Sequence, residues 1–247
     1  MDIKHRAWLA EIVGTYLVVL VGAGTLCTTF LVSDPRYLGG VVLAVALAEG
    51  FALAVAVSMT MHLSPACCNP AITLALWVTK RLEGGQAFLL GCLQLFGAFL
   101  AGLTLKFLFT DDVLLNARMG TPRLGALVGD GGLSVSALTS GIVLEALFAF
   151  LVTLAAYASL IDPRGPKAGG LLVGMAQATV ILFGFHLTGG AANPARWAGT
   201  AFWQPSVGVM GSPLAEHPVY WIGPALGALG ACVVYAVVIQ APEKRKG

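Results

Sequence analysis

The sequence predicts an all-α membrane protein, with six transmembrane helices and two half-helices arranged as an inverted repeat of three spans. Three observations carry this. Of 247 residues, 57% are hydrophobic and only 11% charged, and the mean hydropathy is +0.85, which is more apolar surface than one soluble core encloses. Six stretches reach the ~20 apolar residues a bilayer requires: residues 7 to 32, 37 to 60, 86 to 109, 138 to 161, 168 to 187 and 218 to 241. The triplet Asn-Pro-Ala occurs twice, at Asn69-Pro70-Ala71 and Asn193-Pro194-Ala195. At ~5% usage per residue a given triplet is expected about once in 8000 positions, so chance does not account for the pair.

The start of the chain, Met1-Asp2-Ile3-Lys4-His5-Arg6, imitates a signal peptide, but the apolar run that follows reaches Val32 and reads as the first span. The second span carries Glu49. Each triplet then opens a helix, since Asn is a strong N-cap and Pro suits the first helical position, where its missing N–H would have been unpaired anyway. These helices run about ten residues, from 69 to 79 and from 193 to 203, and so are half-spans. A half-helix that starts at mid-membrane turns its positive end and free N–H groups inward, which is tolerable only beside water or buried polar partners.

The polar segment from Thr110 to Ala137, with Asp111, Asp112, Arg118, Arg123 and Asp130, divides the chain into two halves of one membrane domain, 1 to 247. Glu11 and Glu145 open the halves in similar surroundings, and the order span, span, half-helix, span follows each. The repeats cover about 7 to 109 and 138 to 241. Three spans is an odd number, so the second repeat enters the membrane inverted and the half-helices approach from opposite faces. Lys4, Arg6, Lys80, Arg81, Arg164, Lys167, Lys244, Arg245 and Lys246 lie on the side of the termini, against Arg36, Lys106, Arg118 and Arg123 opposite. The positive-inside rule makes the termini cytoplasmic.

Carboxylates within spans are costly, about 2.5 to 3.5 kcal/mol each on insertion scales. Glu11 and Glu145 repay this as structural acceptors for the irregular backbone before each half-helix. The glycines of the spans, Gly14, Gly22 and Gly24, Gly97 and Gly102, and Gly223, Gly227 and Gly230, read as close helix crossings. Cys27, Cys67, Cys68, Cys92 and Cys232 are an odd number without metal-ligand spacing and read as buried free thiols. The scattered basic residues and net charge of +2 exclude a nucleic-acid surface. With no nucleophile motif, metal spacing or phosphate loop, neither an enzyme nor a cofactor is expected.

The paired triplets, Arg196 directly after the second, Glu11 and Glu145, and Val219-Tyr220-Trp221-Ile222-Gly223-Pro224 on the last span together resemble the aquaporin family from about residue 7 to 241. The resemblance points to a bacterial or archaeal type of member with an atypical selectivity filter. It implies a passive channel in the plasma membrane for water or small neutral solutes, assembled as a homotetramer in the lipid bilayer. Asn69 and Asn193 present amide donors to the lumen. Carbonyls of Pro65, Ala66 and Cys67 and of Gly189, Ala191 and Ala192 supply acceptors, and Arg196 with the two helix ends opposes cations.

Matching by position makes Glu49, Ile181, Gly190 and Arg196 the selectivity filter, in which only the Arg is standard. The aromatic and His of water-selective members are missing, and so is the Asp that glycerol-type members carry after the Arg, where Trp197 stands. A facilitator for small neutral hydroxylated solutes or metalloids, such as glycerol, boric acid or arsenite, is therefore an alternative. A secondary transporter, which also uses inverted repeats and broken helices, is a further one. His186 is placed at the outer mouth and His62 in a loop. Cys67 and Cys68 replace the His and apolar residue frequent before the first triplet, and they pack there as small hydrophobes or turn a thiol to the lumen.

Overall fold

In the computed structural model, residues 2–31, 38–64, 68–129, 132–209 and 213–239 are described, and their fold is helical. The chain runs through α1 (Ile3–Thr29), α2 (Leu38–Thr60), α3 (Pro70–Val78), α4 (Gly84–Leu108), α5 (Asp111–Asn116), α6 (Val135–Ala156), α7 (Leu171–Gly184), α8 (Pro194–Ala201) and α9 (His217–Val234). Single π-helical turns, Tyr157–Ile161 and Tyr235–Ile239, prolong α6 and α9. Two long helices, a short one and another long one make the first half. The second half repeats that order with a shorter second member.

Among the described residues five helices are long and apolar enough to cross a membrane: Ile3–Thr29, Gly40–Thr60, Gly84–Leu108, Val135–Ile161 and His217–Ile239. The stretch 168 to 187, expected to be a full span, is helical for 14 residues only, in α7. Its ends explain this. Gly169 at φ +56 precedes the helix, and the N–H of Gly170 is taken by Ser58 Oγ at 2.9 Å. At the other end the carbonyl of Gly184 accepts the N–H groups of Leu187, Thr188 and Gly189, closing the helix in a tight turn. The connection between halves is likewise more ordered than a polar loop, since α5 interrupts it and α6 starts at Val135 with Ser134 Oγ accepting from Ala137 N at 3.1 Å.

Packing pairs α6 with α9, α2 with α7, and α1 with both α2 and α4. At the α2–α7 crossing Gly50 and Gly174 lie against each other's carbonyls, so that a Cβ on either would overlap backbone of the facing helix. Such approach is the small-residue packing that membrane helices use in place of hydrophobic drive. Not every span glycine serves a crossing. Gly14 faces the Cys68 sulfur and Gly22 the Glu49 carboxylate, so both leave room for side chains. The thiols are likewise only partly as expected: Cys27, Cys68 and Cys232 are buried, but Cys92 on α4 is exposed.

The largest core cluster joins Val18, Leu53, Ile72, Leu76 and Leu90 to Phe148, Val152 and Tyr157, and so binds α3 to helices of both halves. The short helices thus sit at the centre: α3 packs on α4 and α9, and α8 on α4, α1 and α9.

Candidate functional site

Both short helices begin as their sequences dictate. Asn69 is the N-cap of α3, its Oδ1 accepting from Ala71 N at 2.9 Å, with Pro70 in the first turn. Asn193 caps α8 in the same way, accepting from Ala195 N at 2.9 Å and Arg196 N at 3.4 Å, with Pro194 following. Both cap residues are extended, at φ −143 and φ −149. Each amide then reaches across. Asn69 Nδ2 donates to the carbonyl of Ala192 at 3.0 Å, and Asn193 Nδ2 to that of Cys68 at 2.9 Å. One N–H of each amide is so engaged, which leaves the second for another acceptor.

The two carboxylates hold the backbone that enters the short helices. Glu11 Oε2 accepts from Cys68 N at 3.0 Å and Gln94 Nε2 at 2.6 Å, and Gln94 also meets Thr73. Glu145 accepts from Thr188 Oγ1 at 2.6 Å, Ala191 N at 3.1 Å and Ala192 N at 2.7 Å. Tyr220, whose ring stacks on Trp197, donates to Thr188 O at 2.7 Å and ties α9 to the same segment. These bonds hold Cys68 and Ala192 at φ +55 and +50, which non-glycine residues rarely adopt without support.

Of the expected carbonyls, Pro65, Ala66 and Cys67 lie outside the described residues. Ala192 O is taken by Asn69, and Ala191 O and Gly190 O accept from Gln177 at 3.4 and 3.1 Å. Gly189 lines a cavity of about 350 Å³ with Glu49, Arg118, Arg123, His186 and Arg196. Ile181 and Gly190 are not part of its lining. They lie on each other, Gly190 (φ +65) against the backbone of Ile181 with no room for a Cβ. The Ile181 side chain packs with Val45 and Ala46 at 1% exposure. The Cys68 thiol is packed against Gly14, away from the cavity.

At the cavity floor Arg196 Nε donates to Glu49 Oε2 at 2.9 Å, and the two side chains are 4% and 3% exposed. Arg196 Nη1 is buried and has no hydrogen-bond partner among the described residues. Above it, Arg118 and Arg123 come from the connection between halves. Burial first, and then the charge of Arg118, lower the pKa of Arg123. Leu124 N donates to Glu216 Oε2 at 2.9 Å, and Gln204 Nε2 to Arg118 O at 3.0 Å, so the connection is fastened over the cavity. Sequence reasoning missed Gln177, whose amide joins Glu49 to the segment before α8. The available signal was an uncharged polar residue within an apolar span, one helical turn before Ile181.

Comparison with known proteins gives the architecture a context. The family model "Major intrinsic protein" matches residues 2–235. Aquaporin TIP4-4 of Zea mays is 37% identical over 237 residues, covering 93% of this chain and 85% of the relative. Aquaporin AqpM of Methanothermobacter marburgensis is 27% identical, covering 92% of this chain and 94% of that one. The X-ray structure of the aquaglyceroporin from Plasmodium falciparum has the same fold, with a TM-score of 0.74 at 18% identity over 96% of this chain and 97% of that one.

Proposed function

Because the chain belongs to the major intrinsic protein family, whose members are multi-span membrane channels, we propose that it passes water and small uncharged solutes down their gradients while excluding ions and protons at the paired Asn-Pro-Ala half-helices and at Arg196. The observation that carries this reading is the reciprocal bonding of Asn69 to Ala192 O and of Asn193 to Cys68 O. It brings two helix N-termini together, each equivalent to about +0.5 charge. A cation arriving there meets two positive ends and loses hydration. A water molecule meets the remaining N–H of each amide, accepts from them, and is turned so that it cannot pass a proton onward.

The same reading includes the two inverted repeats as one channel domain, a homotetramer in the plasma membrane, and termini on the cytoplasmic side. Reconstituted protein should swell proteoliposomes in stopped-flow measurements without dependence on a coupling ion. Flux that requires Na⁺ or a proton gradient would replace the channel by a secondary transporter.

A second reading, a facilitator for neutral hydroxylated solutes such as glycerol or boric acid, is favoured by Glu49, which sets an acceptor beside the Arg196 donors at the cavity floor. Comparing glycerol, urea and boric acid with water in the same vesicles separates the two.

A further inference from the structure

Arg196 is the cation assigned to the constriction, yet it is not an isolated charge. Its Nε lies 2.9 Å from Glu49 Oε2, deep in the protein. The other carboxylate oxygen, Oε1, accepts from Gln177 Nε2 at 3.1 Å, and the same nitrogen donates to Gly190 O at 3.1 Å. The carboxylate fills the space that Gly22 leaves on α1. Four parts of the chain therefore converge on one carboxylate: α1 by the space it yields, α2 by bearing it, α7 by Gln177, and α8 by Arg196.

We infer that the outer constriction is an electroneutral guanidinium–carboxylate pair held in register by Gln177, so that its resistance to cations is a property of the pair and not of the Arg196 charge. This rests on the channel reading above. A lone guanidinium in a low-dielectric passage repels cations as a monopole, and its field is strong because water is scarce. A carboxylate in contact reduces that field to a dipole, which falls off more steeply. What remains at the floor is the guanidinium of Arg196, which lines the cavity as a donor, beside an acceptor. These sort solutes by hydrogen bonding, and a neutral molecule with both a donor and an acceptor satisfies both at once. Gln177 is a positioning residue here: without its amide, Oε1 is free to turn and the carboxylate loses its fixed position beside Arg196 Nε.

The charge reading and the pair reading diverge in a double-variant cycle. Arg196→Val leaves the Glu49 carboxylate buried and unpaired at the passage, which attracts cations. In Glu49→Gln with Arg196→Val no charge is left there. Potassium leak from loaded proteoliposomes, each variant first shown to conduct water, should rise several-fold in Arg196→Val and return close to the parent in the double variant. Gln177→Met, of similar size but without the amide, should raise the leak in the parent background and leave it unchanged in Glu49→Gln. A double variant that leaks as much as Arg196→Val overturns the inference, because the barrier is then the Arg196 charge. Should Arg196→Val not reconstitute, Glu49→Gln alone decides. The unpaired guanidinium should lower the ratio of potassium to chloride leak several-fold, and an unchanged ratio overturns the inference. A parent protein that leaks potassium freely would instead sink the channel reading.

Discussion

Asn69 and Asn193 do reciprocal work. Each caps its own helix through Oδ1, and each donates through Nδ2 to the carbonyl one residue before the other's cap, Ala192 for Asn69 and Cys68 for Asn193. The two half-helices are thereby locked to each other and not merely to their own repeats.

Asn69→Ala tests that lock. It removes an N-cap acceptor, which costs about 1 kcal/mol, and strips a buried carbonyl, Ala192 O, of its donor, which costs about 1 to 3 kcal/mol. The thermal unfolding midpoint in detergent should fall, and proton leak in vesicles should rise because the oriented donor is gone. An Asn69→Ala protein as stable and proton-tight as the parent would remove the amide from this role.

Much of this centre was legible in the sequence because it is written in local chemistry. An Asn before Pro reads as a cap wherever it stands, and a Glu in an apolar span must find donors, as Glu11 and Glu145 do. Less legible was anything decided by packing between distant helices. Gly22 reads as a crossing residue until Glu49 is seen to fill its space, and α7 reads as a full span because its residues are apolar to Leu187, although the Gly184 carbonyl ends the helix. Gln177 was passed over because a single amide in a span carries no periodic signal. Its role is created by Glu49, 128 positions away.

Cys68 supplies a second test. Its sulfur occupies the space next to Gly14, so a methyl at Gly14 cannot be accommodated unless the sulfur moves. Cys68 is also at φ +55 and holds the loop to Glu11 through its N–H. Gly14→Ala should therefore destabilise the protein by about 1 to 3 kcal/mol, as overpacking does. Adding Cys68→Gly, which removes the sulfur and suits the backbone angle, should recover most of the loss. If Gly14→Ala is neutral by thermal unfolding, the sulfur is not where the packing puts it.

Glu216 fastens the connection between halves to the N-terminal end of α9, and burial raises its pKa above 4.5, against the lowering effects of the Leu124 N–H, Arg118 and Arg123. The sign follows from linkage. A carboxyl with a raised folded-state pKa holds its proton more tightly when folded, so its contribution is largest below the unfolded value near 4.5 and is lost as pH rises through the folded value. Amide exchange in residues 118–128 should therefore quicken as pH rises from 4.5 once the intrinsic rate is divided out. In Glu216→Gln, where the side-chain carbonyl still accepts from Leu124, that residual slope should be absent. The same slope in both proteins would move the titration to another group.

Gly22→Ala is the most direct way to move the Glu49 carboxylate without touching the charges. A Cβ at this position of α1 would overlap Oε2 and lie 2.7 Å from Cδ and 2.9 Å from Cγ of Glu49, so the whole carboxyl group must shift. It is the end of a flexible side chain, and the steric cost of moving it is small. The larger effect is electrostatic, since shifting the carboxyl group disturbs its 2.9 Å contact with Arg196 and its 3.1 Å contact with Gln177. Uncoupling a buried pair costs about 3 to 5 kcal/mol when one partner is removed outright, and a displacement that keeps both ions costs less than that. Gly22→Ala should therefore fold, and it should change the ratio of glycerol or boric acid to water permeability in the same direction as Glu49→Gln, because both leave Arg196 without its carboxylate. Combined with Glu49→Gln it should add little further change, since the amide no longer has an ion pair to lose. A Gly22→Ala protein that conducts water and keeps the parental solute ratio, in vesicles where Glu49→Gln shifts it, would show that the ratio does not depend on where the carboxylate sits.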